Sequence, residues 1–387
     1  MKRFLVSLML FALVPFTASA SSQSEASASG STATAADYFD AKVSIDYSPL
    51  FDVEYHGTYK LVTVTQPWPG AESGFSYLLV QRGTEVPEGI EADKTIEIPV
   101  ESIVSLSTTY LPHIEMLDEL DSLIATDALA WISSEAVLER IDSGAIKEVG
   151  SGPTVNIELL IDMEPDLIMA YGMGGEWDTH PKLEEARLPY VINAEWNEQT
   201  PLGRAEWLKY MSVFYNKEAA ANELFDSIVA RYNEVAEVAS RVNRKPAVFS
   251  GAPYQGTWWV SGGGSYAARF LRDAGADYVW SNDDSTGSLM LDIETVYEQA
   301  GEADIWINTG YWSSLSDAKA ADERFANFKA FKTGMLYNNN ARMGPGGGNE
   351  YFESSPAKPH VLLADLVKLF HPDLLPDHEL YYYKKLD

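Results

Sequence analysis

Glu158 and Glu294 hold the same place in two near-copies of one sequence unit. The first copy runs Asn156-Ile157-Glu158 through Glu164-Pro165-Asp166 into Leu167-Ile168-Met169-Ala170. The second runs Asp292-Ile293-Glu294 through Glu302-Ala303-Asp304 into Ile305-Trp306-Ile307. Asn156 and Asp292 are capping-type residues, and the helical spacing after them breaks at Pro165 or Gly301. A carboxylate on the first turn of a helix is favourable there and stays solvated, so this pair can present charge to a basic partner. A second group of candidates is aromatic. Tyr110, Trp131, Tyr171 and Trp177 in the first half, and Trp258, Trp259, Tyr311 and Trp312 in the second, follow short apolar runs. They would stand on loops at the carboxyl ends of strands, where α/β sheets hold ligands. Arg342 and Arg204 are the basic residues best placed to hold an anionic oxygen of a ligand.

Other chemistries find less support. The 387 residues contain no cysteine, which excludes disulfides, thiolate metal sites and cysteine nucleophiles. The net charge of −29 argues against a nucleic-acid-binding face. Six histidines occur, none paired at i, i+4, so no spacing supports direct metal-ion capture. Gly262-Gly263-Gly264-Ser265-Tyr266-Ala267 formally fits a dinucleotide-binding loop, but the weak motif lies mid-chain after a Trp-rich segment. No nucleophile and base stand out as a pair, so the reading is capture without catalysis and without a cofactor. An exported adhesion protein would suit the β-rich first hundred residues, but it gives no reason for the repeated unit.

These side chains need elements to position them. Met1-Lys2-Arg3, the apolar Phe4 to Phe16 and Ala18-Ser19-Ala20 read as a secretory signal peptide over 1–20. A Ser/Ala/Thr-rich tether follows over 21–36. With no cysteine to carry a lipid, the mature protein is expected to be free and exported. Residues 40–100 read as a β-rich extension, including strands over Val43–Tyr47, Tyr59–Val64 and Ser76–Val80. From Ile103 onward short apolar strands alternate with helices, which implies a mostly parallel sheet with helices on both faces. Residues 202–241 contain no Pro or Gly after Gly203 and read as a long linking helix, bent near Asn216. The alternation then resumes over 242–387 and ends on an amphipathic helix from Pro359 to Phe370. The expected fold is therefore α/β: an N-terminal lobe over 37–201, a spine and a C-terminal lobe. Clefts between such lobes are favoured ligand sites.

The order of these pieces resembles the periplasmic substrate-binding proteins of ABC importers that capture ferric siderophores, haem and cobalamin. The resemblance spans Val100 to Asp387. It rests on Ile103-Val104-Ser105-Leu106-Ser107-Thr108-Thr109-Tyr110, the two Ile-Glu units, the spine, Val260-Ser261-Gly262-Gly263 before a helix, and Ser355-Pro356 ahead of the terminal helix. It implies two doubly wound lobes joined by one long rigid helix, a monomer, and a small-molecule metal chelate held between the lobes. It also implies that Glu158 and Glu294 dock onto the membrane permease. Cobalamin-binding relatives carry a Trp ahead of each Ile-Glu unit, where this chain has Gly150-Ser151-Gly152-Pro153 and Ser288-Leu289-Met290. The expectation is therefore an iron chelate, with cobalamin or haem as the alternative.

Overall fold

The computed structural model describes residues 37–387, so the expected signal peptide and tether lie outside the described residues. Four strands open the chain: β1 (Phe51–His56), β2 (Tyr59–Val64), β3 (Phe75–Gln81) and β4 (Lys94–Ile98) form one sheet in that order. Five more make the first lobe: β5 (Ile103–Ser105), β6 (Leu123–Thr126), β7 (Lys147–Glu148), β8 (Leu167–Ala170) and β9 (Tyr190–Ile192). Their order is β7-β6-β5-β8-β9 and every pairing is parallel. The second lobe uses β10 (Ala247–Ser250), β11 (Pro253–Tyr254), β12 (Thr257–Ser261), β13 (Asp277–Tyr278), β14 (Ser288–Leu291), β15 (Ile305–Ile307), β16 (Leu336–Asn338) and β17 (Lys384–Lys385). Its main sheet runs β13-β10-β15-β16-β17, with only β17 antiparallel, and β11-β12-β14 form a small antiparallel sheet beside it. In each lobe the winding reverses direction once, between β5 and β8 and between β10 and β15. Crevices at such reversals receive ligands outside the carboxyl ends of the strands.

The link between the lobes is helical but not continuous. Short helices Pro201–Ala205 and Trp207–Ser212 precede a 23-residue helix, Glu218–Ser240. The break falls where the bend was expected, with Asn216 in the left-handed region at φ 56°. Lys60 on β2 explains why the break is stable. Its ammonium donates to the Val213 carbonyl at 2.7 Å and to Asn216 Oδ1 at 2.8 Å, and pairs with Glu218 at 2.5 Å. The N-terminal sheet is thus bolted to the start of the long helix by a charge pair almost wholly out of water.

The strand expected over Val43–Tyr47 does not form. That segment is irregular because the backbone N–H groups of Asp46, Tyr47 and Ser48 all donate to the buried Glu206 carboxylate, at 2.9, 2.7 and 2.8 Å. A strand there would send those donors to a neighbouring chain and leave a buried carboxylate unsatisfied, a costly exchange. In the second lobe, Phe249, Trp258, Trp306, Phe325 and Phe328 pack ring against ring, with Trp258 and Trp306 centred 5.4 Å apart. The helix Leu315–Ala321 and β14 carry no strong periodicity and were not expected.

Lys60→Met should cost about 3–5 kcal/mol in urea unfolding, because it strands the Glu218 carboxylate, and adding Glu218→Leu should recover most of that loss. Equal destabilisation of the single and double variants would assign the effect to packing alone. His113, fully enclosed with neither ring nitrogen hydrogen-bonded, has its pKa pushed down to about 4, chiefly by burial. The unfolded imidazole titrates near 6.5, so the native state binds fewer protons between these values and loses stability as pH falls through that window, by about 3 kcal/mol in all. His113→Leu should flatten that part of the pH–stability curve, and unfolding midpoints at pH 7 and pH 4.5 would check it.

Candidate functional site

A cleft of about 810 Å³ opens between the lobes, a volume suited to a ligand of several hundred daltons. The first lobe contributes Thr108, just beyond β5, and Trp131, beyond β6. The second contributes Asn308, Gly310 and Tyr311 beyond β15, then Asn339 and Asn340 beyond β16. Ser261 at the end of β12, Ala267, Met343, Gly347, Asn349, Tyr351 and Phe352 complete it. Most of these positions follow the carboxyl end of a strand, so the two sheets aim their open ends at one space. Asn338 holds one rim in place, its Nδ2 donating to the carbonyls of Gly310 and Trp312 at 2.7 and 2.9 Å. These bonds straddle Tyr311, which is 95% exposed. On the same loop Asn308 Oδ1 accepts from Tyr383 at 2.8 Å, and Tyr351 lies close to both. Burial pushes the Tyr351 phenol pKa upward, while neighbouring Tyr383, Asn308 and Asn339 offset part of the rise.

The aromatic residues singled out from sequence separate into distinct groups. Trp131 and Tyr311 line the cleft. Tyr110 and Trp258 do not, because each is a core side chain with its polar atom spent inside. The Tyr110 hydroxyl donates to the Asn193 carbonyl at 3.0 Å, and Trp258 Nε1 to the Ser250 carbonyl at 3.1 Å. Trp312 packs edge-on against Trp306, with rings 5.5 Å apart, and stands outside the cleft lining. Trp259 is exposed and shares its face of β12 with Ser261, continuing the wall beyond the lining itself, with Met290 opposite it in register. Tyr171 is half-buried, and burial raises its phenol with help from the Asp127 and Asp178 carboxylates. Trp177 is exposed on a loop that Asp178 folds by accepting the N–H groups of Met173, Gly174 and Gly175.

Neither arginine reaches the cleft lining. Arg204 is paired with Glu195, which also accepts from Thr109 Oγ1 at 2.7 Å, and its guanidinium lies 5.2 Å from the centre of the Tyr266 ring. Arg342 stacks on Tyr381 at 4.0 Å, in a separate groove of about 620 Å³ whose walls include Glu115, Glu135, Glu139, Glu350 and Glu353. The expectation that Arg342 holds a ligand oxygen inside the cleft is corrected by that stacking. The lining residues missed from sequence include four amides, Asn308, Asn339, Asn340 and Asn349. Asn338-Asn339-Asn340 directly follows an expected strand, so the strand-end rule that selected aromatics would have found it.

One side of the cleft is closed by a clasp between the lobes. Glu353, on the helix Glu350–Ser354, accepts the Ser133 N–H and hydroxyl at 2.7 and 2.8 Å and the Ser134 N–H at 3.0 Å. The Gly-rich strap before it lies directly on the first lobe. A Cβ at Gly344, Gly346 or Gly348 would collide with the backbone of Ile132, Ala130 or Trp131. The Gly348 N–H also donates to the Ala130 carbonyl at 3.2 Å. Glu353 is almost fully enclosed, and burial raises its carboxyl pKa. Glu353→Gln should loosen this seam, since its amide nitrogen must face a donor, at a cost of about 1–3 kcal/mol. Faster amide hydrogen exchange at residues 130–134 and 344–349 with unchanged exchange in the β10–β15 core would check it.

Among the described residues no group of three or more His, Asp or Glu gathers as a metal cage, and no helix is long and apolar enough to cross a membrane. Comparison with known proteins adds the family. An uncharacterized lipoprotein of Methanocaldococcus jannaschii is 26% identical over 328 residues, covering 81% of this chain and 76% of its own. That relative is named a lipoprotein; the present sequence contains no cysteine. In fold, the chain is similar to an ABC-type Fe3+-hydroxamate transport system protein from Saccharomonospora viridis, at TM-score 0.54, 18% identity and coverage of 70% of this chain and 94% of that one. It is also similar to the periplasmic vitamin B12 binding protein of Vibrio cholerae, at TM-score 0.50, 14% identity and coverage of 70% and 96%. The sequence profile described as periplasmic binding protein matches residues 103–342, which run from β5 through both lobes to the start of the Gly-rich strap, and the chain belongs to that family.

Proposed function

We propose that this protein captures a ferric siderophore in the cleft between its lobes and delivers it to the permease of an ABC importer. The observation that carries the reading is the cleft itself: about 810 Å³ at the carboxyl ends of both sheets, walled by aromatic rings and amides and free of any nucleophile–base pair. Trp131 and Tyr311 pack on the chelate, with Phe352 and Tyr351, and Trp259 extends the contact at the mouth. Tyr171 and Trp177 serve the rim of the first lobe. The 18% identical protein from Saccharomonospora viridis, described as part of a Fe3+-hydroxamate system, is in keeping with an iron chelate as cargo. Cobalamin or haem is the alternative. The protein acts outside the cytoplasm, after removal of the N-terminal signal, and works as a monomer.

Delivery uses Glu158 and Glu294. Each is exposed on the first turn of its helix, behind a cap: Asn156 Oδ1 accepts the Leu159 N–H at 3.0 Å, and Asp292 Oδ1 accepts the Thr295 N–H at 2.7 Å. Glu158 has no ion-pair partner among the described residues, while Glu294 pairs with Arg324 at 2.6 Å. An exposed pair of this kind is worth under about 1 kcal/mol, so a basic partner can displace Arg324 at little cost. Reversing both charges, Glu158→Arg with Glu294→Arg, should leave chelate affinity unchanged in fluorescence titration and abolish chelate uptake in cells. Wild-type uptake by the double variant would remove the docking role.

A further inference from the structure

The side chains lining the cleft are all uncharged. Its polar members are Thr108, Ser261, Asn308, Asn339, Asn340 and Asn349, groups that offer hydrogen bonds without charge. The two arginines expected at the cleft from sequence, Arg204 and Arg342, are engaged elsewhere, one on Glu195 and one on Tyr381, and Arg269, two residues from Ala267, pairs with Asp273. Asn340 lines the cleft and its Oδ1 has no hydrogen-bond partner in the protein, so a turn of the amide toward the cleft would give that acceptor an N–H or O–H group of a ligand. The protein as a whole carries −29. An anion approaching this site would climb a repulsive field and then lose its hydration without meeting a cation.

From this composition we infer that the cleft selects ligands with no net negative charge, held by amide hydrogen bonds and ring contact rather than by ion pairs. This rests on the cleft being the ligand site proposed above. Among iron chelates it selects those in which the ligand charges just cancel the 3+ of the metal. Chelates that keep surplus negative charge, such as a ferric tris-catecholate, are excluded. The donor that Asn340 Oδ1 lacks comes from an amide or hydroxyl on the periphery of the chelate.

The test is a titration of the full mature protein by intrinsic Trp fluorescence with three probes: a neutral ferric tris-hydroxamate, a trianionic ferric tris-catecholate and cyanocobalamin. Each is run at 20 and 500 mM NaCl. The expected result is saturation by the neutral ferric chelate at least tenfold tighter than by the trianionic one, with less than a twofold change in Kd between the two salt concentrations. Tyr311→Arg, which adds a cation at an exposed lining position, should narrow that preference and introduce salt dependence for the catecholate. Equal or tighter binding of the trianionic chelate to the wild type would overturn the charge rule and leave the siderophore function standing. Saturation by cyanocobalamin alone, also uncharged, would support the charge rule and overturn the choice of iron. Binding of none of the three would remove both.

Discussion

Carboxylates held by backbone N–H groups organise this molecule. Glu206 gathers the amides of Asp46, Tyr47 and Ser48; Asp178 gathers those of Met173, Gly174 and Gly175; and Glu353 gathers those of Ser133 and Ser134. Asp365, on the terminal helix, takes the amides of Tyr381, Tyr382 and Tyr383 at 2.9, 2.6 and 3.2 Å. Each joins segments that would otherwise be loops with unsatisfied donors, and each turns a buried negative charge into a fastening. In a chain of −29 this spends the abundant charge where arginine partners are scarce. Glu353 matters most for the cleft, because its bonds cross from one lobe to the other.

The fastenings also explain why the cleft lining is neutral. Two acidic groups close to the lobe interface are already committed, Glu195 to Arg204 and Thr109, Glu353 to the serines. What remains to face the space between the lobes is a set of amides and rings. The Gly-rich strap divides the two spaces: Gly347 lies on the cleft side, Met343 borders both, and Arg342 turns to Tyr381 in the neighbouring acidic groove.

Much of this was legible in the sequence. The repeated units fold as expected, Asn156 and Asp292 cap their helices, and the strands at Ile103, Leu123, Leu167, Tyr190, Ala247 and Ile305 alternate with helices in two parallel sheets. Periodicity carries that information because half of each element faces a core. It does not say which side of a strand-end loop faces the cleft. Tyr110 and Trp258 satisfied the same positional rule as Trp131 and Tyr311, and only tertiary packing separates them. Val43–Tyr47 failed for another reason: its alternation suited a strand, but a carboxylate some 160 positions away claimed its donors. The amides of Asn339 and Asn340 passed unnoticed because asparagine after a strand reads as a turn residue.

The bolt at Lys60 has a consequence for how the chain matures. Its partners Val213 and Asn216 lie 153 and 156 residues further on, and the loop at Asp46 waits for Glu206, 160 residues away. Contacts of such sequence separation incur their loop-closure entropy before any enthalpy returns. The four strands of the opening sheet pair among themselves, but the Lys60 ammonium lacks its partners until the first turn of the long helix exists. The folding unit of the first lobe accordingly ends beyond Glu218, past the point at which its last parallel strand is finished. A chain cut between Ile192 and Pro201 would keep all five strands of that sheet and lack the residues that close it.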